Sequence, residues 1–196
     1  MSITRRAAAP AAVIFAGLAL VAPAADAAKK KAPTVLNIKS GSTMLTLDPA
    51  LAPVLQQQGI SVAPLAPAKL QAADTISLPI SSGTLNLKKG TLKLKHKGGL
   101  ALSGGPLPLT IDVKNAIIDA TRSGSKLSAD TLLGSGTELL TISGLSVPKK
   151  VTGKSLNLVG SATFVDSIGG TLKGFVPDLP GPPITFGTLT ISAKFK

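Results

Sequence analysis

One histidine and no cysteine narrow the search for chemistry to a single segment, Leu92-Lys93-Leu94-Lys95-His96-Lys97-Gly98-Gly99. Its alternation suits a β-strand, in which successive side chains point to opposite faces. Leu92, Leu94 and His96 then share the buried face, and Lys93, Lys95 and Lys97 share the solvent face. An imidazole at the end of a buried face, where glycines break the strand, can ligate a metal or hydrogen-bond a ligand at a pocket rim. It can equally be a core histidine satisfied by backbone. The three lysines, extended across the preceding turn by Lys88 and Lys89, form a positive ribbon suited to the phosphate or carboxylate groups of a wall polymer or lipid headgroup. Lysines on an outer strand face also guard a sheet against edge-to-edge aggregation.

Catalytic constellations are nearly absent. With one histidine, one glutamate (Glu138) and no cysteine, no Cys-His pair can form, and a Ser-His-Asp triad would have to use His96 without any local nucleophile signature. Paired carboxylates would have to come from Asp112, Asp119 and Asp130. Asp112 falls between Ile111 and Val113, on the solvent face of an alternating run, and the other two are read as lying in or near turns. No zinc spacing, phosphate loop or calcium loop is present. The sequence therefore reads as a binding protein, not an enzyme, with no catalytic residue and no metal site.

The elements that position His96 follow from hydrophobic period. Val35 to Lys39 and Thr43 to Leu47 alternate, predicting two short strands that turn at Ser40-Gly41-Ser42. Asp48 suits a helix N-cap and Pro49 the first turn. Leu51, Val54 and Leu55 make one apolar stripe, and Gly59 ends what reads as the only helix beyond the N-terminal segment. Leu65 to Ala73, bounded by Pro64 and Pro67, reads as an irregular connection. From Thr75 onward apolar residues recur two apart: Ile76/Leu78/Ile80, Leu85/Leu87, Leu92/Leu94, Leu100/Leu102 and Leu107 to Val113. Further strands are predicted over Leu127–Leu133, Glu138–Ile142 and Ser155–Val159, with a closing strand whose Leu189, Ile191, Ala193 and Phe195 face one way. Asp178 to Pro183 reads as a loop. A Gly-Thr-Leu triplet at Gly83, Gly90, Gly170 and Gly187 is read as turn plus strand start, since its intervals are irregular. The fold class predicted is all-β, an antiparallel sandwich or barrel-like domain with one short α-helix near the N-terminal side.

Arg5 and Arg6, the apolar run from Ala11 to Val21 and the small residues Ala25-Asp26-Ala27 have the three-part layout of a secretory signal. The run is well short of the roughly 20 residues of a membrane span. Residues 1–27 are thus read as a signal peptide cleaved after Ala27, 28–33 as a basic leader, and 34–196 as a single domain. The expected location is extracellular or at the cell surface. Arg5-Arg6 after Thr4 also suits twin-arginine export, although the bulky apolar residue that usually follows the pair is missing. The chain carries a formal charge of +12, which becomes +11 once Arg5, Arg6 and Asp26 are removed. Such a surface attracts polyanions. Outside a cell these are wall polymers and anionic lipid headgroups. Nucleic acid suits the chain less well, because it has no Trp or Tyr to form a stacking platform.

The order of segments resembles the haem-transport-associated (HtaA-like) domain of bacterial secreted and surface proteins. The resemblance is carried by Leu47-Asp48-Pro49-Ala50-Leu51 through Gln58-Gly59-Ile60-Ser61-Val62-Ala63-Pro64, by Ile76-Ser77-Leu78-Pro79-Ile80 with Gly83, by His96-Lys97-Gly98-Gly99-Leu100, and by Gly187-Thr188 before the last strand. It implies a β-sandwich-like module that binds haem at the cell surface, with a tyrosine as iron ligand and a histidine supporting it. Only His96 carries over. The chain has no tyrosine, which removes the phenolate that would hold ferric iron and argues against haem as its cofactor. His96 itself, or Met44, would have to serve instead. Two functions follow as expectations: a ligand-binding module with His96 at a pocket rim, or a structural envelope protein held to anionic polymers by its lysines.

Overall fold

A single strand, β1 (Val35–Leu47), replaces the two short ones predicted by the pattern and runs straight through Ser40-Gly41-Ser42. Gly41 is there for space. A Cβ at this position would collide with the carbonyl oxygen of Ser192 on the neighbouring strand, so the glycine marks a close approach inside a ladder. Gly83 plays the same part within β4 (Thr75–Asn86), which also continues past its expected stop. There the side chains of Leu94 and Ile38 and the carbonyl of Lys93 fill the space a Cβ would take.

The computed structural model describes residues 33–105 and 110–196. The signal read over 1–27, the leader up to residue 32, and Leu107 and Leu109 lie outside the described residues. The remaining elements are α1 (Leu51–Gln57), β2 (Ile60–Leu65), β3 (Lys69–Ala72), β5 (Thr91–His96), β6 (Gly99–Gly104), β7 (Ile111–Ala120), β8 (Ser125–Thr131), β9 (Gly134–Ser143), β10 (Ser155–Phe164), α2 (Asp166–Phe175) and β11 (Thr185–Phe195). Eight strands close on themselves in the order β1-β4-β5-β7-β8-β9-β10-β11, every neighbouring pair antiparallel. The fold is thus the expected all-β barrel with the expected short helix, α1, and a second helix, α2, that the pattern does not predict. β6 and β2 extend it as a flap on the first half of β7, and β3 pairs with the start of β4 where an irregular connection was predicted. Leucine and isoleucine fill the interior, with Leu85, Leu94, Ile118, Leu189 and Ile191 wholly buried.

Two local readings are corrected. Asp48 is not the N-cap of α1; that position is Ala50, whose N–H donates to the Asp48 carboxylate at 2.8 Å in a turn ahead of the helix. Helix α2 also departs from the pattern, which predicts a turn and strand start at Gly170-Thr171-Leu172. Gly169, Gly170 and Gly174 each cost a helix about 1 kcal/mol relative to Ala. What offsets this is burial: Ile168, Leu172 and Phe175, spaced i, i+4, i+7, turn toward the end of the barrel. There Phe164 and Phe186 meet edge to face with ring centroids 5.1 Å apart.

Candidate functional site

β7 supplies two strands' worth of geometry. Its first half, Ile111 to Lys114, pairs with β6, whereas Ile117 to Ala120 pair with both β5 and β8. Between the halves the register shifts, and Asn115 takes φ of 53°, a left-handed conformation that Asn tolerates better than most residues. The bulge changes which residues face inward. Ile111 and Val113 do so before it, and Ala116, Ile118 and Ala120 after it.

A cavity of about 370 Å³ occupies the end of the barrel beside this bulge. Its floor is Leu45, Leu78 and Ala116, from β1, β4 and β7. One wall is Leu100 and Leu102 of the flap with Ile111 and Val113, and the opposite wall is Leu127, Leu139 and Leu140 of β8 and β9. Phe164, Phe186 and the Ile168-Leu172-Phe175 stripe of α2 cover it. At its mouth the β8–β9 turn holds Leu132 and Leu133, 63% and 73% exposed, facing Phe175 at 40%. Among the described residues the lining contains two polar side chains, and the chain itself engages both. Thr171 Oγ1 donates to the Ser167 carbonyl at 2.8 Å, and Thr131 Oγ1 accepts the Leu133 N–H at 3.1 Å.

The mouth is braced from outside. Asp130 accepts hydrogen bonds from the Ser135 hydroxyl, from Asn115 Nδ2 at 2.9 Å and from the Gly136 N–H at 3.1 Å. These donors, led by Ser135, hold its carboxyl below the usual range. One carboxylate thereby ties the β7 bulge to the turn that carries Leu132 and Leu133.

His96 is not among the residues that line the cavity. It lies inside the barrel, 4% exposed, one layer beneath the floor. The β5–β7 ladder runs from Leu92 opposite Ala120 to Lys95 opposite Ile117, and the next pair would be His96 with Ala116. There the imidazole takes over from the backbone: Nδ1 contacts the Ala116 carbonyl oxygen at 2.9 Å, and Nε2 contacts Thr43 Oγ1 at 2.8 Å. A carbonyl only accepts, so Nδ1 carries the proton, and the neutral Nε2 accepts from the Thr43 hydroxyl. Burial lowers the His96 pKa from 6.5, and the bond to Ala116 opposes that shift only in part. Among the described residues, no buried side-chain nitrogen or oxygen lacks a partner.

Other residues singled out by sequence do not converge. Met44 is on the outer face of β1, opposite to Thr43, so it does not meet His96. Lys88, Lys89, Lys93, Lys95 and Lys97 are all exposed, away from the cavity lining, and Lys93 faces Asp119 at 3.5 Å. Asp112 pairs with Lys114 at 2.7 Å. Asp119 and Asp130 lie within β7 and β8, not in turns, and the three carboxylates bind separate partners. Among the described residues, no three His, Cys, Asp or Glu side chains gather into a metal-sized cluster. The cavity itself escaped sequence reading. Its one legible sign was Leu132-Leu133, two adjacent leucines at the end of a predicted strand.

No family model and no curated protein matches the chain. Solved structures do. The C-terminal domain of HtaA from Corynebacterium glutamicum aligns with a TM-score of 0.59 at 16% identity, over 82% of this chain and 99% of that one. The haem-binding protein HtaB of the same organism gives 0.56 at 14%, over 83% and 96%. The N-terminal domain of HtaA gives 0.56 at 11%, over 81% and 98%. The chain has the HtaA-like fold.

Proposed function

We propose that this protein is an exported binding module that takes an apolar ligand into the cavity between α2, the flap and the β8–β9 turn. The observation that carries this reading is the cavity itself. It is of ligand size, walled by hydrocarbon, and open where Leu132, Leu133 and Phe175 meet solvent. Export rests on the sequence of residues 1–27, and among the described residues no helix is long and apolar enough to cross a membrane.

Haem, the ligand named for HtaB, does not suit the donor set of this chain. Among the described residues, the cavity lining offers no imidazole, phenol, thiol or thioether to iron, and no cation to a propionate. Where the resemblance implies a histidine supporting a phenol, His96 supports the hydroxyl of Thr43, itself 0% exposed. His96 acts on the site through the Ala116 carbonyl at the cavity floor, as a positioning residue.

Titration with the uncharged dye N-phenyl-1-naphthylamine tests the proposal. Saturable fluorescence enhancement that a charge at the mouth, Leu133→Asp, weakens is the expected result. Absence of enhancement, or enhancement indifferent to Leu133→Asp, overturns it. In parallel, haemin should give no Soret shift that depends on His96.

A further inference from the structure

We infer that the ligand is the hydrocarbon chain of a lipid, acyl or isoprenoid, held lengthwise in the cavity with its polar end left outside between Leu133 and Phe175. This deepens the reading above and rests on it. Three observations lead here. First, a buried cavity of about 150 Å³ lined by Leu, Ile and Phe already accommodates benzene, and this one is about 370 Å³. Its occupant is therefore larger than a single ring.

Second, that occupant finds few polar contacts. Thr131 and Thr171 already bond the chain's own backbone, and the rest of the lining is Leu, Ile, Val, Ala, Gly and Phe. Both hydroxyl protons are committed, to the Ser167 carbonyl and to Thr137 Oγ1, so a polar acceptor on the ligand would lose its water and gain no hydroxyl donor, which favours hydrocarbon over polar groups inside. Third, the mouth is also apolar. Leu132 and Leu133 project into solvent on a turn that Asp130 braces from behind. A ligand wholly soluble in water needs no such tip, but a hydrocarbon leaving a lipid surface does, because the tip shields it during transfer.

The test uses the purified full-length mature protein and displacement of bound N-phenyl-1-naphthylamine by straight-chain primary alcohols of increasing length, by isoprenoid alcohols and by haemin. Each added methylene that enters the cavity should tighten binding about fourfold, until the cavity is full and the gain stops. Ala116→Leu fills the floor and should bring that stop to a shorter chain. Should that variant fail to fold, Leu133→Asp, at an exposed position, should weaken all chain lengths by a common factor and leave the slope unchanged. Whichever alcohol series binds more tightly identifies the source of the chain, and either order upholds the inference. Dye binding that haemin displaces and alkanols do not, or alkanol affinities without dependence on length, overturns the inference while the binding module stands. A failure of the dye to bind at all is instead the failure of the binding reading itself.

Discussion

Replacing His96 by leucine removes the shared partner of two buried hydrogen bonds while keeping the site filled, and its cost can be worked from the contacts. The Ala116 carbonyl lies in the β7 bulge and has no ladder partner in β8, so loss of Nδ1–H leaves a buried acceptor unsatisfied. The Thr43 hydroxyl loses its acceptor at a position 0% exposed. Each orphaned group costs about 1–3 kcal/mol, so His96→Leu should destabilise the fold by about 2–6 kcal/mol in urea unfolding near neutral pH. Thr43→Val on top of it removes one orphan, and the pair should therefore fall short of additivity by on the order of 1 kcal/mol. The pH dependence gives an independent check. Since burial depresses the His96 pKa, the unfolded chain binds the proton first on acidification. The stabilisation is complete above the unfolded value of 6.5 and is lost as pH falls through the folded pKa, with a slope of at most roughly 1.4 kcal/mol per pH unit. His96→Leu should flatten that slope, so the gap between wild type and variant narrows on acidification. A variant costing under about 1 kcal/mol, or a slope that survives the substitution, would refute the account of His96 as the partner of the bulge.

Gly99→Ala should cost on the order of 3 kcal/mol in the same assay, because its Cβ would collide with the Val113 carbonyl oxygen and break the β6–β7 pairing. Asp130→Ala should leave the barrel intact but speed amide exchange at Gly136 and ligand release, since it unties the cavity mouth; exchange unchanged from wild type would show that the brace is idle. Protonation of Asp130 should weaken the fold only at a pH below its ordinary value of 3.8, because its folded pKa is lowered, whereas the loss due to His96 already begins at 6.5. Exchanging Lys88, Lys89, Lys95 and Lys97 for Gln should reduce salt-sensitive retention on anionic cell-wall polymer or acidic vesicles, with dye affinity in the cavity unchanged; retention equal to that of wild type removes the lysine ribbon from any role in surface attachment.

Strand content was legible because the interior of a sheet imposes a two-residue period that each segment displays on its own. Leu92, Leu94 and His96 face inward and Lys93, Lys95 and Lys97 outward, as the alternation in the sequence requires. The interruptions were harder to read. Gly41 and Gly83 look in sequence like Gly90, a true turn residue with φ of 65°. Their role depends on which strand passes beside them, a fact that no local window contains. α2 failed for a related reason: three glycines argue against a helix locally, and only the apolar end of the barrel supplies the surface that holds Ile168 and Leu172 in one.

By itself the sequence determined that this is an all-β chain with leucine inside and lysine outside, because composition and alternation are properties of each segment alone. Tertiary structure decided where a ligand can go. The cavity draws its lining from both helical and strand segments scattered from Leu45 to Phe186, and the bulge beside it is held by an imidazole of the neighbouring strand. The cavity arises from closure of the barrel, which brings together residues far apart in the chain.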